Sequence, residues 1–190
     1  MNHGASPMTR VLVPLATGFE DLEAITITDL LRRAQFDVVT AGLTPGPIQG
    51  SRGTVVVPDM SLNDALLQSY DLVVLPGGQP GATHLENDER LQALLKKMAA
   101  DGKVVAAVCA APKALAVAGV LDGKRATGFP GTLSSDQFPD IKISTEAVVT
   151  DGNIVTSRGP GTAMDFTLAL IDILAGSQVR KQVEQALHRP

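Results

Sequence analysis

The chain has 190 residues, 44% of them hydrophobic and 19% charged. That is enough apolar mass for one domain-sized core and too little charge for a disordered linker. Aromatics make up 3%, with no Trp, and the net charge is −4, a composition that argues against a nucleic-acid partner. No run approaches the roughly 18 apolar residues of a membrane span. No charged-then-apolar leader opens the chain either, so the expected setting is cytoplasmic, without membrane contact. Residues 1–7 (MNHGASP) show no apolar period and precede a second Met at position 8. They read as a leader, disordered or vector-derived, outside a single α/β domain spanning 8–190.

Val11 to Ala16 reads as a buried strand, followed by a helix from about Phe19 to Ala34. Val38 to Leu43 forms the next strand, Thr54 to Val57 a short β-branched run, and Asp71 to Leu75 a strand entering Pro76-Gly77-Gly78. A helix over about Asp88 to Ala100 leads to Val104–Val108, a strand ending at Cys109. Bare apolar runs of this kind suit parallel strands covered on both faces. Glu146 to Ser157 holds two β-rich runs around Asp151-Gly152, a hairpin signal. Helices over about Gly161 to Leu174 and Gln178 to Leu187 follow. The alternation predicts an α/β fold, a doubly wound parallel sheet sandwiched by helices, with a β-hairpin attached. Ligands in such sheets bind beyond the carboxyl ends of the strands. Three such ends are Ala16-Thr17-Gly18, Leu75 to Gly78, and Val108-Cys109-Ala110.

Cys109 is the one cysteine, so no intramolecular disulfide is available. Of three histidines, His3 and His84 are far apart in sequence and His188 is near the C-terminus. A Cys/His metal cluster is therefore not expected. Cys109 alone fits a buried small hydrophobe. Its neighbours Ala106, Ala107, Ala110 and Ala111 also suit a tight strand-to-helix elbow like that of a nucleophile. A helix starting just beyond would aim amides at the sulfur and acidify it, to a pKa of roughly 3.5–7.5. Gly77-Gly78 fits a plain turn, or a close backbone approach that presents amides to a ligand.

Thr17 and Glu20 have the spacing of a capping box, which gives Glu20 a structural task. Glu23 lies four residues before Ile27 and seven before Leu30, on the apolar stripe of its helix. A carboxyl on a core-facing stripe is costly unless protonated or paired, although the margin of the stripe would leave it partly exposed. Its helix starts at the sheet edge where Cys109 should lie, so a raised-pKa acid beside a nucleophilic thiol is a plausible pair. The segment Arg158 to Thr162 imitates a dinucleotide loop, but Pro160 removes an amide and Met164 replaces the third glycine. A rigid turn near the site or at a subunit contact is expected there.

These motifs together resemble the ThiJ/PfpI superfamily, in the branch of the parkinsonism-associated deglycase (DJ-one) and the bacterial YajL proteins. The similarity runs from Arg10 to about Val183 through Gly18-x-Glu20-x-x-Glu23, Leu31 to Ala34, Leu75 to Gly78, Ala107 to Ala110, and Ser157 to Thr162. The resemblance implies a flavodoxin-like homodimer with Cys109 at a strained elbow and a protonated Glu23 hydrogen-bonded to it. It further implies an oxyanion pocket from the amides of Gly78 and Ala110, and an Arg52 that approaches from the partner subunit. Gly77, Glu20 and Pro160 complete the expected substrate-binding set.

The implied activity is cofactor-independent and metal-free: conversion of methylglyoxal-like 2-oxoaldehydes, or removal of their early adducts from glycated protein, in oxidative-stress protection. A redox sensor working through Cys109 sulfinic acid and a redox-regulated chaperone are the alternatives. Two departures from relatives stand out. Ala110 occupies the position where protease-type members carry His, which argues against a Cys-His peptidase. Phe129 stands where human-type members also carry His, and His84 matches no family catalytic residue.

Overall fold

A computed structural model describes residues 8–189; residues 1–7, read above as a leader, lie outside the described residues. The first half of the chain runs β1 (Arg10–Leu15), α1 (Asp21–Arg33), β2 (Asp37–Gly42), β3 (Ile48–Gln49), β4 (Val55–Val56), β5 (Met60–Ser61), α2 (Leu62–Ala65) and β6 (Leu72–Leu75). It continues as α3 (Gly81–Asn87), α4 (Glu89–Ala100), β7 (Val104–Val108), α5 (Pro112–Val117), β8 (Arg125–Ala126) and β9 (Lys142–Ile143). The chain closes with β10 (Val148–Asp151), β11 (Ile154–Ser157), a 3-10 turn over Pro160–Thr162, α6 (Ala163–Ala175) and α7 (Ser177–Ala186).

Seven strands form one sheet in the order β10-β11-β7-β6-β1-β2-β5. Six consecutive members, β5-β2-β1-β6-β7-β11, are mutually parallel, and β2-β1-β6-β7-β11 among them is the flavodoxin-like order. The pleat sorts their side chains. Leu12, Val39, Val73, Leu75 and Val105 join a core under α2 to α5. Val11, Val13, Val38, Val74 and Val108 join a second core under α1, α6 and α7. Each strand is thus apolar on both faces, and the unbroken apolar runs of the sequence follow from that.

The expected hairpin is present, with β10 and β11 antiparallel across Asp151–Ile154. It is not an appendage, however: β11 pairs in parallel with β7 from Ile154 to Ser157 and carries the main sheet outward. The Thr54–Val57 run becomes β4, paired with β3 in a separate two-stranded hairpin. Helix α1 starts at Asp21 with Glu20 itself as N-cap, and no side chain caps it. The expected Thr17–Glu20 capping box therefore does not form. The Glu20 carboxylate turns instead toward the loop after β3, where it accepts a bond from Ser51 Oγ at 3.2 Å.

Candidate active site

The carboxyl ends of β1, β6, β7 and β11 meet at one edge of the sheet. Cys109 leaves β7 with φ of +62°, the left-handed region, which costs a non-glycine residue about 1–3 kcal/mol. Bonds on both sides of the residue hold it there. Its N–H donates to Ser157 O at 3.0 Å, its carbonyl accepts from Phe129 N–H at 2.7 Å, and Ala111 N–H closes back on Val108 O at 3.0 Å. The thiol is half-buried. The small residues read from the sequence thus do accompany a strained elbow.

Glu23 lies on the inner face of α1 and is fully buried. Its Oε2 accepts the Gly77 N–H at 2.7 Å, while Oε1 is buried with no hydrogen-bond partner at normal geometry. Gly77 is where the two groups meet. A Cβ at that position would stand 2.6 Å from Cys109 Cβ and 2.8 Å from Glu23 Oε2, so only glycine admits both. Gly78, at φ +91°, turns the chain so that its amide reaches the sulfur, as the Ala110 amide does from the other side.

Burial, helped by the nearby Glu20 charge, raises the Glu23 carboxyl to about 7 against the opposing bonds from Gly77 and Cys109. Burial also raises the Cys109 thiol, and the charge of an ionised Glu23 and the bond to it raise it further, to about 12. The amides of Gly78 and Ala110 pull the other way and lose. The acidic thiol expected from the sequence is corrected here. Helix α5 starts three residues beyond Cys109, at Pro112, and the sulfur shares its pocket with a carboxylate. The two groups are one coupled acid that resists carrying two negative charges.

The remaining expected residues lie on neighbouring segments. Arg52 is exposed; its N–H donates to Asp21 Oδ2 at 2.8 Å, and its side chain makes no ion pair among the described residues. Pro160 opens the 3-10 turn after β11 and is half-buried. The turn is closed by side-chain hydrogen bonds: Thr162 Oγ1 lies 2.7 Å from Ser157 Oγ and accepts the Gly159 N–H at 3.1 Å. His84 lines a different cleft, of about 280 Å³, beside Thr17 and Thr44. Among the described residues no cluster of His, Cys, Asp or Glu could hold a metal ion, and no helix is long and apolar enough to cross a membrane.

Two contributors escaped the sequence reading. Asp21, also buried, accepts Arg52 N–H at 2.8 Å and Thr54 N–H at 2.7 Å and so fastens the loop bearing Arg52 to α1. Ser157 supplies the carbonyl that anchors Cys109. The acidic run at the start of α1 is a signal for Asp21, since negative charge is favoured at a helix N-terminus.

The sequence profile described as the DJ-1/PfpI family matches residues 9–173, nearly all of the described fold. The chain belongs to the DJ-1/PfpI family. Within the family it is 42% identical over 183 residues to protein DJ-1alpha of Drosophila melanogaster, covering 93% of this chain and 82% of that protein. The crystal structure of Drosophila melanogaster DJ-1beta superposes with a TM-score of 0.90 at 38% identity, covering 95% of this chain and 97% of that one. A more distant relative is named glutathione-independent glyoxalase DJR-1.2, from Caenorhabditis elegans. It is 31% identical over 159 residues and 84% of each chain is covered. Identity near 40% to DJ-1 homologues over most of the chain puts it in the DJ-1 branch of this DJ-1/PfpI family.

Proposed function

We propose that the protein is a cysteine-dependent, cofactor-independent glyoxalase or deglycase acting on methylglyoxal-like 2-oxoaldehydes or their early adducts on protein. The observation that carries the reading is the coupled pair itself, a half-buried thiol packed on a buried carboxyl with the Gly78 and Ala110 amides at the sulfur. The name of the Caenorhabditis elegans relative supports the same reaction class.

Loss of the first proton from the pair leaves one proton shared between sulfur and carboxyl. In the form with thiolate and neutral Glu23, sulfur adds to the aldehyde carbon. The new alkoxide lies by the Gly78 and Ala110 amides and takes its proton from Glu23, giving a hemithioacetal. The Glu23 carboxylate then removes the proton from that carbon, forming an enediolate, and returns it to the neighbouring carbon while the hydroxyl proton passes from the first oxygen to the second. The first carbon is oxidised to a thioester while the second is reduced to an alcohol. The redox change is internal and no external electron acceptor is needed. Water cleaves the thioester, releasing the hydroxyacid and the thiol.

Lactate formation from methylglyoxal tests this. Cys109→Ser should fall to background, and Glu23→Gln should lose 10²- to 10⁴-fold, roughly the contribution of a general acid–base. In the wild type kcat/KM should rise with pH through about 7, where the first proton leaves the pair. Turnover equal to that of Cys109→Ser would remove the enzyme from consideration. The reading includes a homodimer in which Arg52 reaches the neighbouring site; light scattering that returns the monomer mass at micromolar concentration overturns that part.

A further inference from the structure

Phe129 is about half exposed, at 51%, in a chain with only five phenylalanines and no Trp. An apolar ring exposed on the single chain, when most of its kind are buried, asks for a use. Its position is fixed from two sides. Its N–H donates to the Cys109 carbonyl at 2.7 Å, so the backbone at 129 sits directly on the elbow. Its ring edge, Cδ2, stands 3.5 Å from where a Cβ on Gly159 would lie, on the turn that follows β11. That turn and the elbow are joined by the Cys109 N–H bond to Ser157 O. Its backbone thus meets the end of β7 at the residue that bears the thiol, while its ring meets the turn after β11. Gly159 is buried and has no side chain to displace it, and Pro160 next along is half-buried.

We infer that Phe129, with Pro160, forms an apolar wall at the mouth of the Cys109 pocket and selects 2-oxoaldehydes, or glycated side chains, whose tail is aryl or branched alkyl over those with a methyl tail. The inference rests on the glyoxalase reading and refines its substrate class. The carbonyl carbons are handled by Cys109, Glu23 and the two amides. The substituent on the far side of the dicarbonyl is the part left to meet the ring. A methyl group covers little of that face, whereas an aryl tail stacks on it. Aromatic pairs are worth about 0.5–1.5 kcal/mol beyond area burial, a preference of roughly 2- to 12-fold at 1.36 kcal/mol per decade.

The test compares kcat/KM for benzylglyoxal and for methylglyoxal in wild type, Phe129→Ala and Phe129→Trp. The wild-type ratio should favour benzylglyoxal, drop by roughly 2- to 12-fold in Phe129→Ala, and return in Phe129→Trp. A merely structural ring would change both substrates alike, and a ratio that stays constant across the three proteins overturns the inference. Should wild type turn over neither aldehyde, the glyoxalase reading falls and the wall is judged by alkylation alone. Cys109 is the one thiol, so its rates with iodoacetamide and N-phenyl iodoacetamide are read without background. Phe129→Ala must then lower the phenyl-to-parent rate ratio by the same factor; an unchanged ratio rejects the wall.

Discussion

Asp21 and Glu23 stand two residues apart in the first turn of α1, and both are buried, yet they are opposite kinds of acid. Burial works on Asp21 too, but bonds from Thr54 and Arg52 outweigh it and hold its carboxyl below the usual range. Glu23 has one backbone donor, a neighbouring thiol and an oxygen with no partner, and burial wins. Both carboxyls share a helix N-terminus, so its dipole cannot be what separates them. The number of N–H donors decides. Asp21 is a fastener for the loop that carries Arg52, and Glu23 is an acid kept close to release at neutral pH.

Replacing each acid by its amide should break the comparison in opposite directions. The folded state binds the Glu23 proton up to about 7, whereas the unfolded chain releases it near 4.5. Stability from this residue is therefore full below 4.5 and is lost as pH rises through 7, on the order of 3 kcal/mol in all. Glu23→Gln should unfold at higher urea than wild type at pH 8 and at a similar concentration near pH 4. Parallel pH curves for the two proteins would show that Glu23 is not strained by ionisation.

Asp21→Asn should act the other way and somewhat less. Its amide can accept one of the two loop N–H groups but turns a donor toward the second, at a cost of about 2 kcal/mol near pH 7. Because the Asp21 pKa is lowered on folding, its contribution is present above 3.8 and fades as pH falls further. Urea melts at pH 7 and pH 3 should show the gap narrowing. Glu20→Gln should give the smallest effect. It removes a charge that helps raise Glu23, so the Glu23 carboxyl resonance, followed by NMR, should titrate slightly below its wild-type midpoint. An upward shift would contradict the electrostatic account.

Those parts of the molecule governed by local pattern were legible in the sequence. Apolar runs gave the parallel strands, the helical stripe put Glu23 in the core, and the run of alanines marked the elbow at Cys109. What escaped depends on segments distant in sequence. Thr17 and Glu20 have capping-box spacing, but the loop of residues 50–54 arrives from 30 residues away and takes the Glu20 and Asp21 carboxylates for itself. The acidity of Cys109 depends on burial and on the Glu23 charge, neither of which spacing contains. Asp151-Gly152 announced a hairpin without saying that β11 would dock on β7. Gly77-Gly78 looked like a turn because the clash that forbids a side chain involves residues 23 and 109.

The bond from Cys109 N–H to Ser157 O has a consequence for how the chain folds. The pocket draws on residues near positions 23, 77, 109 and 157, so it closes through contacts of large sequence separation, which form slowly because long loops must be ordered first. The last of its parts belongs to β11, the final strand in the chain. A chain halted before Ser157 would have β7 but lack the carbonyl that holds Cys109 in its left-handed conformation. Protection of the single thiol during refolding therefore marks the docking of the last strand, and the reactive geometry exists only once the sheet is complete.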